Sequence, residues 1–348
     1  MVVVTDMPVL LAVDGNSLLH RAFHALAGTG ARTASGEPIW AIRGLLLQLV
    51  AAADRVGPSA IVVGFDDPEA SVRRQRWPHY KAHRGDKLPT LTSQLEQAPE
   101  VLRELGVQVL TPPGLEADDV LASACRMGAE HGVRTVLVTS DRDAFALLDD
   151  RTSVLRVING GVDASPLMTP DRLALLLGIR PEQYRDFAAL RGDASDNLPG
   201  IPGIGPKRAA LLLAELGSAS AIFDDATSGG AQIRKLLGPA WVERLADPDA
   251  RLRWKTNCAV MEFHADIDLD MWPGPGRGQL PLPPEAVHRT FIDHRLPATA
   301  QVALRCLAGA EPDDRPTTVE TLAWDPTAQW RSRRTYPPLR PDPQLTLF

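Results

Sequence analysis

Acidic residues hold the positions at which this sequence could do chemistry. Asp14 directly follows the apolar run Val9-Leu-Leu-Ala-Val13, Asp66 follows Ala60-Ile-Val-Val-Gly-Phe65, and Asp141 comes one residue after Thr135-Val-Leu-Val-Thr139. Glu116-Ala-Asp118-Asp119 follows the turn signal Pro112-Pro-Gly114, Asp143 accompanies Asp141, and Asp193 and Asp196 share the loop 191–200. Carboxylates gathered in one cleft cannot all stay ionised without cations, because like charges repel at short range. Oxygen-only ligands select hard ions such as Mg²⁺ or Mn²⁺ over zinc. Two such ions suit phosphodiester hydrolysis, one generating hydroxide and the other stabilising the leaving oxygen. That chemistry needs no side-chain nucleophile, and none is apparent.

The elements needed to position these acids are those of an α/β fold. Short β-rich runs alternate with helical stretches over the first 180 residues, which predicts a mostly parallel central sheet flanked by helices. Apolar residues three and four apart predict helices over Trp40–Arg55 and Ala117–His131. Strand C-termini of a parallel sheet share one edge, so Asp14, Asp66 and Asp141 would converge there. Asp also starts turns, but three strands each ending at an acid strain that reading. For Glu116, Asp118 and Asp119 the alternative is helix N-capping, worth about 1 kcal/mol. Both readings of that group stay open. His20/His24 and His79/His83 have HxxxH spacing but lack the companion cysteines or glutamate of a zinc site, and read as surface or core histidines.

Two further stretches suit nucleic acid. Gly200-Ile-Pro-Gly-Ile-Gly-Pro-Lys-Arg-Ala209 lacks the Gly-Lys-Ser/Thr of a Walker loop, and a preceding strand and third glycine of a dinucleotide fingerprint are not expected. It reads as a glycine hairpin opening into a helix. Gly203, Gly205, Lys207 and Arg208 would meet a phosphate there without reading bases. Arg73, Arg74, Arg76, Lys81, Arg84 and Lys87 crowd the stretch 73–87, with Trp77 and Tyr80 interleaved. Charge plus stacking surface fits a single strand, although a charge run is commonly only a solvated face.

In order and spacing, Val13-Asp-Gly-Asn16 with Arg21, Phe65-Asp66, Tyr80-Lys81 with Arg84, Gly114-Leu-Glu-Ala-Asp-Asp119, Thr139-Ser-Asp-Arg-Asp143 and Gly192 through Lys207 closely resemble the bacterial 5′–3′ exonuclease and flap endonuclease family. More narrowly, the chain looks like free-standing relatives of the 5′-nuclease domain of DNA polymerase I. The resemblance implies a PIN-like nuclease core over residues 1–180, with a helical arch at about 71–95. A helical DNA-binding subdomain would span 181–308 and carry a helix–three-turn–helix at about 190–215. It implies that Asp14, Asp66, Glu116 and Asp118 surround a first metal, with Asp119 supporting through water, and that Asp141, Asp143, Asp193 and Asp196 surround a second. Two or three Mg²⁺ or Mn²⁺ ions are expected, with K⁺ on the glycine-loop carbonyls. Arg21, Lys81 and Arg84 would serve the scissile phosphate, and Tyr80 would stack near the reacting nucleotide. All the family's acids are present, so full catalytic competence is expected. No polymerase region is expected, so gap filling would fall to another protein.

The proline-rich stretch 309–343 reads as a flexible tail. It leads to Gln344-Leu-Thr-Leu-Phe348, which resembles the peptide by which bacterial repair proteins dock on the sliding clamp. Gln344, Leu345, Leu347 and Phe348 would be its anchors. Three scattered cysteines, no apolar run near the roughly 18 residues of a membrane span, and no basic leader suggest a cytoplasmic, nucleoid-associated monomer. The net charge of −6 seems to oppose DNA binding, but the acids concentrated at a metal site account for part of it. Two other functions fit some of these features: a catalytically weak DNA-binding module recruited to the clamp, and a PIN-type RNase. The complete acid set speaks against the first, and the glycine loop against the second.

Overall fold

Apolar runs that lack helical spacing form the inner strands of a sheet covered on both faces. Strands β1 (Val9–Asp14) and β2 (Ala60–Gly64) are buried at every residue, and both pair in parallel with their neighbours. The computed structural model describes residues 7–271 and 276–310. Between those strands lie helices α1 (Gly15–Leu26) and α2 (Trp40–Val56). Then follow α3 (Val72–Arg76), α4 (Pro89–Leu105), β3 (Gln108–Leu110), α5 (Ala117–His131), β4 (Arg134–Thr139), β5 (Thr152–Arg156) and β6 (Leu167–Met168). The sheet runs β3-β2-β1-β4-β5-β6, and β6 alone is antiparallel. Strand order reverses between β1 and β4, and ligand crevices open at such points, beyond the strand C-termini.

The remaining chain is mostly helical. It comprises α6 (Pro170–Leu177), α7 (Tyr184–Arg191), a ribbon of β7 (Gly192–Asp193) and β8 (Leu198–Pro199), and α8 (Pro206–Leu216). Helices α9 (Ala219–Thr227), α10 (Ala231–Leu237), α11 (Pro239–Ala246), α12 (Pro248–Val260), α13 (Pro284–Asp293) and α14 (Pro297–Ala308) complete it. Residues alternate along the strands between two cores. Leu11, Val13, Ile61, Val63 and Val138 pack with α1, α2, α4, α13 and α14. Leu10, Ala12, Val62, Leu137 and Val154 pack with α5, α7, α8 and α9.

Several expectations need correction. The expected helical unit 181–308 is divided, because Val287, Phe291, Ala300, Ala303 and Leu307 of α13 and α14 join the opposite core, beside α2 and α4. The expected arch at 71–95 is a one-turn helix followed by turns. Its final residues belong to α4, where Leu91 and Gln94 are buried and Gln94 accepts the Ala41 N–H at 2.7 Å. Pro78 lacks the N–H a helix would need, Pro89 opens α4 at its first position, and no continuous helix spans 77–88. The glycine hairpin follows a two-residue strand, β8, where none was expected. Gly309 caps α14 in a left-handed conformation, so the expected tail does not begin there. The rest of that tail and the peptide 344–348 lie outside the described residues.

Candidate active site

Asp14 ends β1 and caps α1, with Oδ1 accepting the Ser17 N–H and Oδ2 the Thr139 hydroxyl, both at 2.8 Å. Asp66, two residues past β2, accepts from the Ala117 N–H and the Asn16 amide, each at 2.9 Å. Gly64 lets α5 sit against that strand end. A Cβ there would lie 2.8 Å from the Val120 Cβ and 3.0 Å from the Ala117 carbonyl. Asp14, Asp66, Glu116, Asp118 and Asp141 line one cleft of about 1570 Å³, with Arg21, Lys81 and Arg84 among its other walls. Asp143 and Asp196 line a small recess that shares Glu116 and Asp118 with the cleft. Asp193 lies on β7, its carboxylate accepting from Ser195 and Arg191.

Burial and mutual repulsion mark these acids as a charge cluster. Burial, with Asp66 and Asp141 nearby, raises Asp14 to about 7 against opposing hydrogen bonds. Burial likewise raises Asp66, Asp118, Asp143 and Asp196, and neighbouring carboxylates reinforce each shift. Among the described residues, Asp118 Oδ1 and Asp143 Oδ1 are buried without a hydrogen-bond partner. Such an atom costs roughly 1–3 kcal/mol, and more when charged, unless a cation meets it. Acid-only donors with two unmet oxygens fit a hard divalent ion. Among the described residues, however, no three His, Cys, Asp or Glu side chains stand close enough to form a ready-made cage.

Several sequence-predicted residues have other surroundings. Asp119, expected beside the metals, is fully buried, and Arg73, expected on DNA, is 5% exposed. Arg73 donates to both Asp119 oxygens at 2.7 and 2.8 Å and to the Val260 and Glu262 carbonyls at 3.1 and 2.7 Å. The Glu116 and His264 N–H groups also donate to Asp119. Burial opposes the Asp119 charge, but the Arg73 guanidinium overrides it and holds the pKa below the ordinary value. The pair is thus buried among its own partners, and Arg73 Nη1 also reaches Glu116 Oε2 at 3.4 Å. Tyr80, expected to stack on a base, is 5% exposed and donates its hydroxyl to Glu116 Oε2 at 2.9 Å. Lys81 adopts a left-handed φ of 54° and places Nζ 3.2 Å from the same oxygen. Burial acts against its charge, but Glu116, Asp196 and Asp66 outweigh that and raise its pKa. Arg84 bonds Asp196 at 2.8 Å, and Arg21 bonds the Asn159 side chain at 2.9 Å. Arg74 and Arg76 are exposed. His24, His79 and His83 are exposed and His20 is half-buried.

At the glycine hairpin Gly203 has φ 85°, Gly205 precedes α8, and Lys207 and Arg208 are exposed. The sequence reading missed Trp241 and Arg244 of α11. The Arg208 and Arg244 guanidiniums lie 4.7 and 5.1 Å from the Trp241 ring centre, and a Cβ on Gly203 would fall 2.8 Å from that ring. No motif spacing links positions 203 and 241, so only packing reveals the cluster. Asn16 and Thr139 stand in the motifs that carry the resemblance, but that they and Ser17 orient the acids is visible only in the packing.

The chain is similar to known proteins over most of its length. A model of the 5′–3′ exonuclease N-terminal resolvase-like domain matches residues 9–174, and one of the 5′–3′ exonuclease C-terminal SAM fold matches residues 179–272. DNA polymerase I of Mycobacterium bovis is 37% identical over 286 residues, which cover 82% of this chain and 30% of that relative. The chain therefore matches less than a third of that protein's length. The structure of T5 5′-exonuclease with bound divalent zinc has a TM-score of 0.56 at 20% identity, covering 86% of this chain and 93% of that one. The catalytic core of Rad2 in complex with DNA substrate has a TM-score of 0.55 at 15% identity, covering 86% and 93%. At those identities the likeness establishes the fold.

Proposed function

Since this chain belongs to the 5′–3′ exonuclease family, we propose that it is a metal-dependent, structure-specific nuclease that removes 5′ flaps and RNA primers from branched DNA, in lagging-strand maturation and repair. The observation that carries this reading is the buried, partnerless pair Asp118 Oδ1 and Asp143 Oδ1 inside an acid cluster at the sheet's switch point. Asp14, Asp66, Glu116 and Asp118 would hold one Mg²⁺ or Mn²⁺, and Asp141, Asp143, Asp193 and Asp196 a second. Bound ions would supply hydroxide at neutral pH and charge for the leaving oxygen. Arg21, Lys81 and Arg84, which line the same cleft, would orient the phosphodiester. Thr139 and Asn16 keep Asp14 and Asp66 pointed at a common space through bonds of 2.8 and 2.9 Å.

Duplex would lie on the glycine hairpin. Arg208, Arg244, Lys207 and the start of α8 offer positive charge there, and K⁺ on the loop carbonyls would add to it. The neighbouring Rad2 structure contains a DNA substrate and the T5 structure contains divalent ions, which supports the same roles here. Residues 344–348 would dock on the sliding clamp, in a cytoplasmic, nucleoid-associated monomer.

A direct test incubates the chain with a 5′-flap DNA, a flush duplex and a single-stranded RNA, in Mg²⁺ or EDTA. Release of the flap in Mg²⁺ alone is the expected result. Binding without cleavage, or cleavage of the RNA alone, would overturn the reading.

A further inference from the structure

Among the described residues, three side-chain donors from outside α5 reach the Glu116 carboxylate, and all meet the same oxygen. The Tyr80 hydroxyl lies 2.9 Å from Oε2, Lys81 Nζ 3.2 Å and Arg73 Nη1 3.4 Å. We propose that Tyr80 is a positioning residue, whose hydroxyl fixes Glu116 through Oε2 and, with the Asp119 N–H that the same side chain caps at the start of α5, orients the carboxylate for a divalent cation. The proposal rests on Glu116 being a metal ligand.

The geometry favours this role over base stacking. The ring is almost wholly buried and packs with Leu198 and Val260. One approach to the ring is taken by Lys81 Nζ, 4.7 Å from its centre. The backbone around it is tethered too. The Lys81 N–H donates to the Asp196 carbonyl at 3.0 Å, and the Asn197 amide donates to the His79 carbonyl at 2.8 Å. Arg73 extends the anchorage to the end of α12 through the Val260 carbonyl. Glu116 is thus held between the turn at 77–84 and the helical region. A neutral phenol donating to one oxygen orients a carboxylate without neutralising it, whereas an ammonium alone would compete with an incoming cation. Groups that orient a metal ligand through its remaining oxygen or nitrogen affect metal affinity by about 10- to 100-fold.

Tyr80→Phe keeps the ring and removes only the hydroxyl, so it separates the two roles. Mn²⁺ binding to the full chain is measured by electron paramagnetic resonance for wild type, Tyr80→Phe and Glu116→Gln, with 5′-flap DNA affinity measured in EDTA. Expected is Mn²⁺ affinity weakened about 10-fold in Tyr80→Phe, with flap affinity in EDTA unchanged. Unchanged Mn²⁺ affinity in Tyr80→Phe alongside a loss in Glu116→Gln would overturn the positioning role while leaving Glu116 a ligand. Unchanged affinity in Glu116→Gln would overturn the ligand assignment beneath it.

Discussion

Neighbouring residues of identical charge behave differently here, and the helix explains why. Successive side chains on a helix point about 100° apart, so i and i+1 do not share a face. Asp118 lines the cleft while Asp119 is closed off with Arg73, and Arg74 is exposed while Arg73 is buried. Asp118→Ala is expected to lower cleavage at least about 1000-fold, equivalent to roughly 4 kcal/mol. Flap binding should stay near wild type, and comparable single-turnover rates would contradict the assignment. Arg73→Ala should instead destabilise the fold by about 3–5 kcal/mol, because Asp119 is left as an uncompensated buried charge. Arg74→Ala should change stability by less than about 0.5 kcal/mol. Urea unfolding of the two variants checks this contrast.

The glycine hairpin and α11 work as one unit although nearly forty positions separate them. Gly203 sits at φ 85° with Trp241 close behind it, so a side chain meets both a conformational penalty and a clash. Gly203→Ala should cost about 1–2 kcal/mol from the left-handed backbone alone and weaken duplex binding. Arg244→Ala should leave the hairpin intact but remove one cationic contact. Its mark would be a salt dependence of duplex affinity shallower by about one unit, read from titrations at several salt concentrations. An unaltered slope would remove α11 from the duplex surface. The arch that the resemblance implied over 71–95 changes at the same scale: the prolines at 78 and 89 divide the segment, and α4 buries its share in the core.

Across the whole molecule, the acid cluster ties stability to pH and to cations. Asp14 is raised from 3.8 to about 7, and Asp66, Asp118, Asp143 and Asp196 shift in the same direction. Between pH 4 and 7 the folded chain then binds more protons at these sites than the unfolded chain. Their contribution to stability therefore falls as pH rises through that window. In EDTA these acids should lower the unfolding temperature from pH 5 to pH 7.5, and Mg²⁺ should restore more of it at pH 7.5 than at pH 5. Differential scanning calorimetry measures both, and equal Mg²⁺ effects at the two pH values would contradict a metal-holding cluster. Deleting residues 344–348 should abolish clamp binding while leaving cleavage of short flaps unchanged, as surface plasmon resonance and a gel assay would read.

By itself the sequence determined the parallel sheet, the strand-end acids and the motif order, because a buried strand must be a continuous apolar run and its end must meet solvent. Those constraints are local and survive without knowledge of packing. Tertiary structure decided which face of α5 and α3 turns to the cleft, hence that Asp118 differs from Asp119 and Arg74 from Arg73. It also decided that Tyr80 holds Glu116 and that Trp241 backs Gly203. These depend on how helices dock, a long-range choice that a buried ion pair or a close glycine contact settles and residue spacing does not.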